Sequence, residues 1–204
     1  MVGMFAFLNF AFFAPLREII SRRDAGSAKK FLVNIMNIQD EFLSKHSKKQ
    51  AEKVVKYVGA DKARFKELMS CYLSSEMILA QRAAMSAGYC VVQHPQLFTT
   101  YLPKILKAME KPVHDAIVRN GLLIMRRVEI PEKLESKVIE LCFELMSSAE
   151  SPIAIKVYAI AVIQKVSKKY PDLLQELKIR VNAQLPFESK AFAAHARKNL
   201  FNSK

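Results

Sequence analysis

The chain has no tryptophan, only five glycines and only three cysteines in 204 residues. Each scarcity excludes something. Five scattered glycines cannot build a loop that cradles phosphate, and no serine stands in a nucleophile elbow. Cys71, Cys90 and Cys142 are odd in number, widely spaced and set in apolar helical patterns. They form no disulfide framework, and buried thiols in a reducing compartment, the cytoplasm, are expected. The four histidines, His46, His94, His114 and His195, fall on different elements, none at metal-ligand spacing from another His, Cys or carboxylate. No metal or other cofactor is expected. No stretch alternates apolar and polar residues over a strand length.

What is present is a repeat. The tetrads Gln81-Arg-Ala-Ala84, Val118-Arg-Asn-Gly121, Val157-Tyr-Ala-Ile160 and Ala194-His-Ala-Arg197 recur at intervals of 37, 39 and 37 residues. A period near 40 marks a stacked array. Pro95, Pro131 and Pro171 keep nearly the same beat, each closing the first helical stretch of its unit, and Pro112 and Pro152 mark where units open.

Apolar spacing predicts a helix over 44–58 ended by Gly59, and an Asp61-capped helix carrying Phe65, Leu68, Met69 and Tyr72. An Ala-rich helix over 76–93, apolar around its circumference, must be covered on most sides. Its partner, 96–111, contains Pro103, which should bend or restart it near Tyr101. Further pairs read 113–128 with 131–148 and 152–169 with 172–185, before a last helix at 189–200. Pro131 and Pro152 suit the first helical position, and Ser189 a cap. The fold class is all-α, one repeat domain over 36–204.

Segment 4–16 stands apart. MFAFLNFAFFAPL carries five phenylalanines, is shorter than the roughly 20 apolar residues that cross a bilayer, and lacks the basic flank of a secretory signal. A hydrophobic capping helix, a membrane-touching segment and residues upstream of the true start are the three readings. The last is preferred, with the native product starting at Met36 and no membrane partner. A chain from Met36 loses five basic and two acidic residues and keeps a net charge of +10.

For the whole chain the net charge is +13, with both signs interspersed. Solvated helix faces account for most of it, and attraction to a polyanion is the sharper alternative. Arg82 and Arg119 hold equivalent tetrad positions, a ladder that Tyr158 and His195 end. Asp115 and Arg119 have the spacing of a helical ion pair. Arg126, Arg127, Lys165, Lys169 and Arg197 cluster at helix ends, where cations complement the carbonyl pole and where equivalent ends line up as a basic rim. These seven basic residues are the candidate contacts to a partner.

Helix pairs of about 40 residues and the phrases PIAIKVYAIAVIQKVSKKYP and VHDAIVRNGLLIMRRV resemble HEAT-type repeats, and residues 36–204 are similar to small bacterial HEAT-like proteins. The resemblance implies a right-handed α-α superhelix of about four helical hairpins. It further implies a monomer that binds a protein or peptide along its surface without chemistry. Nonspecific nucleic-acid binding through the rim is the alternative. Alkylpurine DNA glycosylases are also built from HEAT-like repeats, but their lesion pocket depends on tryptophan walls that this chain lacks. Ser74-Ser-Glu-Met77 resembles the start of the adenylosuccinate lyase signature loop, then departs: Ile78 replaces its proline. Ser74 or Ser75 is read as a helix start.

Overall fold

Ser47, Asp61, His114 and Ser189 start helices by one chemistry. Their side chains accept the backbone N–H of Gln50 (3.1 Å), of Ala63 and Arg64 (2.8 and 3.0 Å), of Ala116 (3.0 Å) and of Phe192 (3.2 Å). These donors have no partner within the first helical turn. A computed structural model describes residues 36–201. Its helices are α1 Ile38–Ser44, α2 Lys48–Val58, α3 Lys62–Tyr72, α4 Met77–Gln93, α5 Leu102–Glu110, α6 Asp115–Arg127, α7 Glu132–Ser147, α8 Ile153–Val166, α9 Pro171–Gln184 and α10 Lys190–Ala196. No strand occurs among the described residues, and none of these helices is long and apolar enough to cross a membrane. The readings made for segment 4–16 and for a start at Met36 rest on residues 1–35, outside the described residues.

The helix expected over 44–58 starts at Lys48, and a separate helix, α1, precedes it. Ile38 and Phe42, one turn apart and 1% and 2% exposed, give α1 a buried edge, and Asp40 and Glu41 in its first turn complement the dipole. Ser44 ends it, and Ser47 restarts the chain as α2. Among the described residues the array therefore opens with α1 to α3 and not with a hairpin beginning at Ser44. Pro131 and Pro152 stand at the cap, one residue before the position expected, with extended ψ of 138° and 145°. Ser74 does not start α4. Its hydroxyl accepts the Glu76 N–H at 3.0 Å, and the helix begins at Met77. The last expected helix is α10 followed by a π turn, Arg197–Phe201.

Pro103 restarts the chain as its chemistry requires. Two 3-10 turns, Pro95–Leu97 and Thr99–Tyr101, precede α5. They are held by the Phe65 ring, which meets Phe98 and Tyr101 edge-on at centroid distances of 4.8 and 5.4 Å.

Helices α2, α4, α6, α8 and α10 pack side by side in one layer, and α3, α5, α7 and α9 cover it. The four tetrads lie on α4, α6, α8 and α10. Ala83, Ala84, Ala159 and Ile160 there are fully buried. Small residues let α4 take neighbours on several sides, as its apolar circumference predicts. Pairing differs from expectation in the middle of the array: α3 packs on α4, α5 on α6 and α7 on α8, with little contact between α6 and α7, while the expected α2–α3 and α8–α9 pairs do pack. The buried stripe Val138, Cys142 and Met146 faces α8, and the connections are too similar in length to have revealed this.

Two cross-layer features fix the stack. The buried Tyr72 hydroxyl donates to the Ile117 carbonyl at 2.9 Å, joining α3 to α6. Lys156, 4% exposed, pairs with Glu188, joining α8 to the connection before α10. All three cysteines are free and buried, as expected. Burial pushes the Cys71 and Cys90 thiols up to about 11, with Glu67 adding to the effect at Cys71, and raises Cys142 as well.

Candidate binding groove

The seven candidate cations divide into two groups. Arg82 and Lys165 are turned inward on carbonyl groups of other helices. The Arg82 guanidinium donates to the Phe42 and Leu43 carbonyls at 2.6 and 3.1 Å and closes α1. The Lys165 ammonium donates to the Met125 carbonyl at 3.1 Å and to that of Val128, and closes α6. Sequence spacing points each cation at the end of its own helix, but these two cap a helix 37 to 40 residues earlier. Burial lowers the pKa of Lys165, and Glu129 opposes that shift.

Lys169 is also engaged. It lies 3.2 Å from Glu135 and 3.6 Å from Glu132, while the Tyr170 hydroxyl donates to Glu135 at 2.9 Å. Hydrogen bonding with Tyr170 is the main reason that the Glu135 carboxyl titrates below its ordinary range and Lys169 above its own.

Arg119, Arg126, Arg127 and Arg197 remain exposed, with no ion pair or hydrogen bond among the described residues. The helical ion pairs Lys48–Glu52 and Arg180–Glu176 form, but the expected Asp115–Arg119 pair does not. Both side chains instead line a groove of about 300 Å³. It crosses three units: Gln81 and Met85 come from α4, Arg119 from α6 and Ile155 from α8. His46 and His114 contribute to its wall. Since the Nδ1 of His114 accepts the Ala116 N–H, only its Nε2 is left to meet an occupant.

Close packing beneath the groove holds α4 and α6 in register. A Cβ on Gly88 would stand 2.3 Å from the Asn120 Oδ1, so glycine is what lets the two helices approach. Asn120 is buried and its amide donates to the Ala116 carbonyl at 2.9 Å. Sequence reading missed Gln81 and Met85 as groove residues and the capping role of His114. Its one signal was a histidine immediately before Asp115 at the start of an apolar helical run.

At the carboxyl end of α6, Arg126 lies near His195 and Lys198. His195 has a buried Nδ1 without a partner among the described residues. Burial first, then the Arg126 and Lys198 charges, lower its pKa. Among the described residues no three of His, Cys, Asp or Glu stand close enough together to share a metal ion.

Comparison with curated proteins and with solved structures finds no match. A family model described as HEAT repeat domain matches residues 38–204. That range takes in every helix of the two-layer array, and with it an all-α solenoid fold that generally serves as a non-enzymatic scaffold: the chain belongs to the HEAT repeat domain family.

Proposed function

We propose that this protein is a monomeric, non-enzymatic cytoplasmic scaffold that binds a protein or peptide segment along the groove crossed by α4, α6 and α8. The supporting observation is Arg119. It is exposed, lies beside a carboxylate without pairing to it, and shares a groove with apolar Met85 and Ile155. An unpaired guanidinium over an apolar floor offers an extended segment both orientation and contact area. A photo-crosslinker at Met85, used in the native lysate at low salt, tests this. A stoichiometric partner whose capture is abolished by Arg119→Glu is expected, and recovery of none counts against the reading.

A second reading has its own observation. Arg126 at the end of α6 and Lys198 just past α10 both act on His195, two basic side chains near one another that support this reading. Nonspecific nucleic-acid binding there requires affinity to fall steeply with salt, because each neutralised phosphate releases condensed counterions. Substituting the exposed Arg126, Arg127 and Arg197 together should flatten that slope, and salt-independent binding would remove the reading.

A further inference from the structure

A second cleft, of about 590 Å³, lies away from the groove, between the α3–α4 connection and α5. One wall carries Ser74 and Ser75. The other carries Lys104 and Lys107, one turn apart on α5, and Lys111 just past its end. Between them the floor is apolar, made by Leu73, Ala108, Val113 and Ile117.

Helix electrostatics does not account for the three lysines. Lys107 and Lys111 sit at the carboxyl end of α5, where cations are favoured, but Lys104 is in its first turn, where the dipole disfavours a positive charge. All three are exposed and none forms an ion pair among the described residues, although Glu110 lines the same cleft. Like charges held along one wall of a cleft repel each other. A ligand bearing negative charge relieves that repulsion. Val113, a large apolar residue left 41% exposed, asks for more than charge.

We infer that this cleft is a docking site for an acidic peptide segment with an apolar anchor. Its carboxylates meet Lys104, Lys107 and Lys111, and its anchor side chain covers Val113 and Ala108. The inference adds a second contact to a scaffold and does not depend on the groove at Arg119. A bare phosphate or an unadorned polyanion satisfies the lysines but leaves the floor uncovered, so charge complementarity and exposed apolar surface together select the peptide.

The test is a random linear-peptide display library selected on the full-length protein and counter-selected on the variant Lys104→Glu/Lys107→Glu/Lys111→Glu. All three positions are exposed, and a circular-dichroism melt verifies that the variant folds. Enriched peptides should be net acidic with at least one large apolar residue. They should bind the triple variant at least about tenfold more weakly. Arg119→Glu should leave their affinity unchanged, so failure of the groove and failure of the cleft are read separately. Replacing the apolar residue in an enriched peptide by serine should cost about tenfold as well. No enrichment, enrichment of neutral or basic peptides, or equal binding by the triple variant overturns the inference. Equal binding by polyglutamate of matched charge overturns it too, since it reduces the cleft to a plain anion site.

Discussion

Gly88 on α4 faces Asn120 on α6 with no room for a methyl group: a Cβ would stand 2.3 Å from the amide oxygen and 3.3 Å from Leu123 Cδ2. In a free helix Gly→Ala is favourable by about 1 kcal/mol. Here it forces Asn120 to rotate and give up a buried hydrogen bond to Ala116. Gly88→Ala is therefore expected to destabilise the fold by about 1 to 3 kcal/mol in urea unfolding. Gly121→Ala meets Met109, whose flexible thioether can move aside, and should cost less. Equal or reversed losses would show that the α4–α6 approach is looser than described.

Lys156 and Glu188 form an ion pair with side chains 5% and 14% exposed. Removing one charge strands the other in a low-dielectric interior, so Lys156→Met alone should cost about 3 to 5 kcal/mol. Lys156→Met with Glu188→Leu removes both charges and should recover most of that loss. A double-mutant cycle measured by thermal or denaturant unfolding decides between a coupled pair and two independent effects.

Arg82 closes α1 from the next unit. Arg82→Ala should loosen α1 locally rather than unfold the array, so amide exchange should accelerate across residues 38–44 and stay unchanged in α7 and α8. A uniform acceleration over the chain would show that α1 is not a separable element.

His195 makes stability depend on pH. Its imidazole titrates near 6.5 in the unfolded chain and lower in the folded one, because burial, Arg126 and Lys198 disfavour the cation. The unfolded state therefore takes the proton first, and stability falls as pH drops below about 6.5 towards the folded value. His195→Gln should flatten the decline in stability between about pH 7 and pH 5, read from unfolding midpoints at a series of pH values. An unchanged slope assigns the decline to carboxylates.

The 40-residue beat, the all-α class and most helix starts were legible because each rests on local chemistry: Asp61 and Ser189 cap, Pro103 restarts, and apolar spacing marks the core. Helix pairing was not, because α6 and α7 have a short connection and yet α7 buries its stripe on α8. The destinations of Arg82 and Lys165 were also hidden. Both satisfy carbonyls about 40 residues away, contacts that depend on how units stack and leave no mark on neighbouring sequence. Arg119 was found by its tetrad position. The groove around it required knowing that α4, α6 and α8 share a layer.

The backward reach of Arg82 and Lys165 limits how such a chain can change length. Excising one period between α1 and Arg82 would bring Arg119, again an arginine, to the open carbonyl end of α1, but excising two would bring Tyr158, which has no guanidinium to donate. Tandem arrays often grow or shrink by whole periods, but here the latches are individual to each junction. Which units can be lost is therefore set by chemistry at the seams, and a descendant without both arginine-bearing periods must acquire a new latch before its junction is as secure as the old one.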